Sequence, residues 1–178
     1  MRILVAYETA HGSTAETAEA VAEVLRERGA HVDVMRCRTV RSVEGYDAFV
    51  VGAPIWAGNW LKPARAFVRR HEATLAAHPT AWFFASGAGG TQEREKVEQE
   101  VTPRLREYAP MVTPVAVGSF AGVIDYAKYN FILRAMMRAL AKKEGNPTEG
   151  RHDMRDWERI KAWAAEVHEQ FAARLPAG

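Results

Sequence analysis

The chain has 178 residues, 48% of them hydrophobic, which suits a single domain (residues 1–178) built around one large core. Its formal net charge is +2 with acids and bases interspersed, so we expect no nucleic-acid binding, and the single cysteine, Cys37, excludes an intrachain disulfide and a cysteine-based metal site. The six histidines show no metal-ligand spacing, and no signal peptide or apolar run of the ~18 residues that span a bilayer is evident, so we expect no metal and a cytoplasmic location.

Strand and helix patterns alternate along the first half of the chain. Residues 3–7 form a continuous apolar run, typical of a central parallel strand. A helix is predicted over residues 14–28, ended by Gly29, and Ser13 and Glu16 have the spacing of a capping box at its start. Residues 31–35 alternate as an edge strand does, and residues 48–52 form a second continuous apolar run.

The second half continues the alternation. Pro63 starts a helix that carries Phe67, His71 and Leu75, and residues 81–86 form the fourth strand. Thr91 caps the next helix, and residues 115–118 form the fifth strand. Apolar residues at helical spacing line one face of each of the last two predicted helices: Val97, Val101 and Leu105, then Trp157, Ile160, Trp163, Val167 and Phe171.

Five strands alternating with helices imply an α/β protein with a doubly wound parallel sheet and right-handed crossovers. Residues 119–154, between the fifth strand and the last helix, are too long for an ordinary connection. We therefore expect an elaboration there that has a use.

The first strand runs into a short polar loop and then into an Ala/Glu-rich helix. Such a turn places backbone N–H groups, hydroxyls and a helix N-terminus around one small volume that suits a phosphate. No Lys or Arg lies between Ile3 and Val24, so neutral donors and the helix dipole would hold the anion. The loop lacks the lysine of a nucleotide-triphosphate loop and the G-x-G-x-x-G of dinucleotide folds.

Ligands of doubly wound sheets bind beyond the carboxyl ends of the strands. Three loops are predicted at that rim, over residues 9–14, 54–60 and 87–91. A phosphate loop, a loop with Trp56 and Trp60, and a glycine loop together indicate a site for a phosphorylated planar heterocycle. Taken singly, each has a plainer interpretation as a helix cap, core aromatics or an ordinary loop.

The motifs T-x-x-G-S-T at 9–14 and G-A-P-I-W-A-G at 52–58, with the glycine-rich loop at 87–90, resemble those of flavodoxin-fold FMN proteins. The resemblance implies strand order 2-1-3-4-5 and non-covalent FMN. It implies that Trp56 flanks the flavin ring and that the Gly58 peptide can flip to face flavin N5. The third loop lacks the aromatic of that family. The cofactor-binding residues implied are Thr9, Ala10, His11, Gly12, Ser13, Thr14, Pro54, Ile55, Trp56, Ala57, Gly58, Ser86, Gly87, Ala88, Gly89 and Gly90.

Residues 129–143, the following E-G-N-P-T-E, and R-D-W-E-R-I-K-A-W at 155–163 resemble the flavodoxin-like, menaquinone-dependent protoporphyrinogen oxidases. This resemblance implies an FMN-dependent oxidoreductase of haem biosynthesis that passes electrons from a reduced tetrapyrrole to a quinone, with the flavin and no protein side chain as the reacting group. The alternatives are an electron-carrier flavodoxin and a quinone reductase. Carrier flavodoxins are generally acidic and need no long elaboration, and both features favour an enzyme.

Residues 126–143 predict a basic amphipathic helix. One apolar stripe holds Tyr129, Ile132, Leu133, Met136, Met137 and Leu140, and five cations accompany it: Lys128, Arg134, Arg138, Lys142 and Lys143. Such a helix suits a membrane surface, an anionic ligand or a partner, including a second copy, or else it packs on the domain with a solvated basic face. The resemblance implies substrate binding and peripheral contact with the inner face of the cell membrane, with Arg134 and Arg138 facing porphyrin propionates.

Overall fold

Five parallel strands form the centre of the molecule: β1 (Arg2–Tyr7), β2 (His31–Arg36), β3 (Ala48–Trp56), β5 (Thr80–Ser86) and β6 (Ala116–Ala121). Their order is β2-β1-β3-β5-β6, and the short β4 (Asn59–Trp60) pairs antiparallel with the end of β3. The structure is a computed structural model that describes residues 1–56, 58–86, 91–143 and 147–175, without the side chains of residues 91–98. The predicted sheet and strand order are confirmed.

Helices cover both faces of this sheet. They are α1 (Ser13–Glu27), α2 (Lys62–Arg70), α3 (Glu72–Ala77), α4 (Thr91–Tyr108) and α6 (Trp157–Ala172), whereas α5 (Phe131–Lys143) packs in a separate small cluster. α1 and α6 bury their apolar faces against one side of the sheet, and α2, α3 and α4 bury theirs against the other. Successive β3 residues contribute to opposite cores, since Phe49 and Val51 belong to one cluster and Val50 to the other. This explains why the central strands are continuous apolar runs rather than alternating ones.

Two predicted boundaries were wrong. β3 does not end at Gly52 but continues to Trp56, because β4 provides an antiparallel partner for its last residues. The helix that begins near Pro63 does not continue to Leu75. His71 has φ −108° and ψ 16°, which ends α2 and begins α3. Neither boundary is accompanied by a change in the spacing of apolar residues, so the sequence pattern could not reveal it.

The elaboration predicted over residues 119–154 has secondary structure of its own. It contains β7 (Val123–Asp125), a 3₁₀ turn (Tyr126–Lys128), α5 and β8 (Arg151–Asp153), and β7 pairs antiparallel with β8. Both of its ends meet beside the carboxyl end of β5. The Gly122 amide donates to the Ser86 carbonyl at 2.7 Å, and the Met154 amide donates to the Gly122 carbonyl at 3.2 Å. The elaboration is therefore anchored at the rim where the sequence predicts a ligand.

The predicted core residues are mostly confirmed. Cys37 is also buried, and burial raises the pKa of its thiol. Trp157 is the exception on α6, because it is partly exposed and carries the Arg155 guanidinium 4.3 Å from its ring centre. None of the helices in the described part of the chain is long and apolar enough to cross a membrane.

Candidate functional site at the carboxyl ends of the strands

The loop after β1 is shaped by a glycine and a threonine. Gly12 has φ +98°, a backbone conformation that residues other than glycine rarely adopt. Its amide donates a hydrogen bond to Thr9 Oγ1 at 2.9 Å. Within the described residues, four loop amides have no hydrogen-bond partner in the protein: those of Ala10, His11, Ser13 and Thr14. Unpaired N–H groups before and at a helix N-terminus form a cradle for an anion. The loop therefore fits a terminal phosphate.

The capping box predicted for Ser13 and Glu16 was wrong. Gly12 is the N-cap of α1, and no side chain caps this helix. Glu16 instead pairs with Arg155, with 2.6 Å between Oε2 and Nη2. The Thr14 side chain is buried at this end of α1. The absence of a side-chain cap leaves the first helical amides available to a ligand.

The buried carboxylate of Glu8 holds the start of this loop. Glu8 is fully buried and accepts hydrogen bonds from the guanidinium groups of Arg36 and Arg38, at distances between 2.7 and 3.2 Å, and from the Thr9 amide. Burial acts to raise the pKa of Glu8, but the hydrogen bonds from Arg38, Thr9 and Arg36 outweigh it and hold this pKa below its ordinary value. The carboxylate is thus charged at neutral pH and fixes the start of the loop.

Three cations from distant parts of the chain reach the carbonyls of the same loop. Arg36 donates to the Thr9 carbonyl at 3.1 Å, Lys128 to the His11 carbonyl at 3.0 Å, and Arg155 to the Ser13 carbonyl at 3.1 Å. The sequence expectation that only neutral donors and the helix dipole would act on the anion was therefore incomplete. These three hydrogen bonds satisfy loop carbonyls and hold them in place.

Arg155 is the most buried of these cations, with a side chain only 2% exposed. It pairs with Asp153 and Glu16, and the hydrogen bond to Asp153 is the main cause that raises the pKa of Arg155 above its ordinary value. Since Asp153 ends β8 and Glu16 lies in α1, this side chain joins the elaboration to the loop. His11 contributes a second contact of this kind, with its ring edge-on to Tyr129 at 5.4 Å.

The predicted second loop is a hairpin rather than a loop. Pro54, Ile55 and Trp56 belong to β3, Trp56 pairs with Asn59, and Gly58 has φ +74°. The Trp56 side chain is 45% exposed at the rim, whereas Trp60 is buried against Trp82. Trp56 is thus available to a planar ligand and Trp60 is a core residue. Ala57 lies outside the described residues.

Ser86 ends β5 at the same rim. Its hydroxyl is buried and has no hydrogen-bond partner among the described residues. A buried hydroxyl without a protein partner can bind a polar atom of a ligand. The other predicted residues of the third loop, Gly87, Ala88, Gly89 and Gly90, lie outside the described residues, as does any cap at the start of α4.

The single apolar stripe predicted for the basic helix is divided between two faces. Tyr129, Leu133, Met137 and Ala141 pack inward with Tyr126 and Ile124. Phe131, Ile132, Met136 and Leu140 are exposed. The interpretation of one core-facing stripe was therefore wrong, because an inward face and an outward face are both apolar.

Arg134 and Arg138, predicted to face propionates, are bonded within the protein. Arg134 donates to the Ala127 and Tyr129 carbonyls, and Arg138 donates to the Thr148 carbonyl and pairs with Glu149 at 3.3 Å. These contacts brace α5 against its neighbouring segments. The structure therefore places the loop of residues 9–14, Trp56, Gly58 and Ser86 at the same rim of the sheet, but leaves Arg134 and Arg138 in structural contacts.

Residues 4–150 match the family model described as "Flavodoxin domain", and the chain belongs to this family. Solved structures show the same fold. A flavodoxin from the domain Archaea aligns with TM-score 0.58 at 18% identity, covering 97% of this chain and 99% of its own. A flavodoxin from Streptococcus pneumoniae TIGR4 aligns with TM-score 0.57 at 15% identity, covering 98% of this chain and all of its own.

Curated relatives carry a more specific name. Protoporphyrinogen IX dehydrogenase [quinone] of Escherichia coli K12 is 27% identical over 177 residues, covering 94% of each chain. The protein of that name from Leishmania major is 24% identical and covers 93% of this chain and 74% of its own. The resemblance predicted from the sequence is confirmed by these matches.

Sequence reasoning missed Glu8, Arg36, Arg38, Lys128 and Arg155 as parts of the loop's surroundings. An acidic residue at the end of a buried strand was the one available signal, because a carboxylate there requires a cationic partner. Nothing in local spacing identifies which arginines supply it.

Proposed function

We propose that this chain is an FMN-dependent oxidoreductase that oxidises a reduced tetrapyrrole of the protoporphyrinogen type and delivers the electrons to a quinone. The names of its relatives support the substrate class, and the site supports the cofactor. The chain acts in this proposal as one flavodoxin-like unit, with the elaboration around Val123–Asp153 as a part of its working surface.

The phosphate loop carries this proposal. Its four unpartnered amides and the three cations on its carbonyls fit a single terminal phosphate, which favours FMN over FAD. Thr14, buried beside these amides, would add a hydroxyl to the same oxygens. Glu8 and its two arginines keep the loop in this shape before the ligand arrives.

The ring of the cofactor would lie beside the β3–β4 hairpin. Trp56 would cover one face, the Gly58 peptide would present a polar atom to the ring edge, and the unpartnered Ser86 hydroxyl would bond to it from β5. The flavin, when bound, supplies the acceptance and release of two electrons. The protein residues hold the ring at the rim, exclude water from the side of Trp56 and leave the other side open to a substrate.

The exposed face of α5 supports peripheral contact with a membrane, where a lipid-soluble quinone is found. Four apolar side chains face solvent there, and Lys142 and Lys143 lie at the end of the same helix. Apolar and cationic side chains on one short helix suit an anionic lipid surface. A cytoplasmic protein that touches the inner face of the cell membrane follows from this proposal, and self-association through the same face is the competing role.

The decisive experiment is anaerobic mixing of the FMN-loaded protein with protoporphyrinogen. We expect the visible absorbance of the oxidised flavin to bleach and to return when a menaquinone analogue is added. A carrier flavodoxin would be bleached by a reductase but not by the porphyrinogen, and that outcome would overturn the proposed reaction. Denaturation of the loaded protein should release FMN, and exclusive reconstitution with FAD would overturn the cofactor assignment.

A further inference from the structure

An arginine of α4 lies directly against the hairpin turn at the rim. A Cβ added to Gly58 would overlap Nη1 of Arg104, so the guanidinium occupies the space over the α-carbon of this glycine. Tyr108, one helical turn later, donates to Asn59 Oδ1 at 2.8 Å, and its ring lies 6.3 Å from that of Trp60. α4 thus holds the turn through two side chains, and the first of them brings a charge to it.

The charge of Arg104 is not neutralised within the described part of the chain. Arg104 is exposed and forms no ion pair with a described carboxylate, including Glu100 one turn before it. The half-exposed Trp56 pairs with Asn59 at the end of the same hairpin. A guanidinium with no ion pair among the described residues therefore lies against the turn beside which we place the flavin ring, where it can reach a carboxylate of a planar substrate.

The arginines on α5 are less available for this task. Arg134 and Arg138 already donate to backbone carbonyls, and Arg138 also pairs with Glu149. A substrate carboxylate would have to displace these contacts, whereas Arg104 has no such contact with a described residue. Because a guanidinium binds a carboxylate through two parallel hydrogen bonds, one free arginine can also fix the orientation of the substrate.

We propose that Arg104 binds a carboxylate of the substrate and orients the tetrapyrrole over the Gly58 turn. This rests on the proposed function, because it assumes that FMN lies at the hairpin and that the substrate is a carboxylate-bearing planar molecule. Arg104 is then a residue for substrate specificity, while the phosphate loop binds the cofactor independently of it.

The test compares Arg104→Gln with the control Arg106→Gln in the FMN-loaded protein. Arg106 is also exposed on α4. It lies two positions after Arg104, and residues two apart in a helix point to different sides. Binding is measured by quenching of tryptophan fluorescence with two probes. They are protoporphyrin IX, which carries two carboxylates, and its dimethyl ester, which carries none.

We expect Arg104→Gln to weaken binding of the diacid about tenfold, with ester binding and FMN affinity unchanged, since hydrogen bonds to charged groups are worth about this much. Arg106→Gln should alter neither probe, and Arg104→Lys should restore part of the diacid affinity. Equal losses for diacid and ester would show that Arg104 only supports the turn. Unchanged diacid binding would also overturn the assignment, whether or not the flavin potential shifts.

Porphyrin binding by the wild-type protein shows whether a negative result concerns Arg104 or the proposed function. If wild type binds the diacid and Arg104→Gln binds it equally well, the assignment of Arg104 alone is wrong. If wild type binds neither porphyrin, the proposed substrate class is wrong and the assignment falls with it.

Discussion

Nη1 of Arg155 donates a hydrogen bond of 3.1 Å to the carbonyl of Ser13, a residue 142 positions earlier in the chain. The same guanidinium pairs with Glu16 and Asp153 and lies over the Trp157 ring. One buried side chain thereby links the start of α1, the end of β8 and the approach to α6. The shape of the loop at residues 9–14 consequently depends on the elaboration.

Replacing Arg155 with Gln should weaken both folding and FMN binding. The substitution removes a charge that serves two carboxylates and a loop carbonyl, and hydrogen bonds to charged groups are worth about 1.5–3 kcal/mol each in stability. We expect the Kd for FMN to rise roughly tenfold. Urea unfolding and flavin fluorescence titration measure the two effects. Arg159→Gln, an exposed arginine in α6, is the control that should change neither.

The buried carboxylate of Glu8 should make the free energy of unfolding depend on pH. Its native pKa lies below the ordinary value of 4.5, so the folded state binds fewer protons than the unfolded state in this range. The stabilisation is therefore present above about pH 4.5 and is lost as the pH falls through the native pKa. Glu8→Gln should cost about 1.5–3 kcal/mol near pH 7, and this cost should shrink as the pH falls through the native pKa.

Urea unfolding of wild type and Glu8→Gln between pH 3 and pH 7 measures this difference. Glu27→Gln, at the exposed end of α1, should run parallel to wild type over the whole range. A Glu8→Gln difference that does not change with pH would contradict the role assigned to the ionised carboxylate.

The two tryptophans of the hairpin should respond oppositely to substitution. Trp56→Ala should leave the far-UV circular dichroism intact, loosen FMN binding and increase the fluorescence of the bound flavin, because the half-exposed indole would stack on the ring. Trp60→Ala should instead destabilise the fold by about 3–5 kcal/mol, since Trp60 is buried against Trp82. Unfolding of Trp56→Ala, or unaltered flavin fluorescence, would contradict the stacking role.

Thr14 tests the phosphate assignment. Thr14→Ala should weaken FMN binding by about 1.5–3 kcal/mol through loss of a hydroxyl bond to a charged oxygen, while Thr14→Ser should retain most of the affinity. Equilibrium titration of the apoprotein with FMN makes this comparison. Since no side chain caps α1, a loss of helix capping does not complicate the result. Equal affinities for all three proteins would argue against contact between Thr14 and the phosphate.

The exposed face of α5 should determine vesicle binding. Combined replacement of Ile132, Met136 and Leu140 by Gln removes three exposed apolar side chains, each worth about 1.5–3 kcal/mol when fully buried in an apolar phase. We expect co-sedimentation with anionic vesicles to fall more than tenfold without a change in melting temperature. Met111→Gln, at another exposed apolar side chain, is the control.

Sedimentation velocity of the same variants separates the two roles of this face. Vesicle binding that survives the triple substitution would contradict the membrane role. A loss of concentration-dependent association would then assign the face to contact between copies.

The sequence by itself determined the sheet and the position of the rim. Continuous apolar runs such as residues 48–52 identify strands buried on both faces, and the alternation of strands and helices leaves few topologies. The T-x-x-G-S-T motif predicted a loop and a helix start at the end of the first strand, and the structure has both there, because a glycine such as Gly12 and a helix start are local properties of the chain.

Only the tertiary structure decided which charges surround that loop. Arg36, Lys128 and Arg155 reach Thr9, His11 and Ser13 across large separations in sequence, and no local pattern encodes such pairs. The same applies to Arg104, which meets Gly58 because α4 packs over the hairpin. It applies equally to the outward face of α5, because helical spacing shows that a face is apolar but not whether another element covers it.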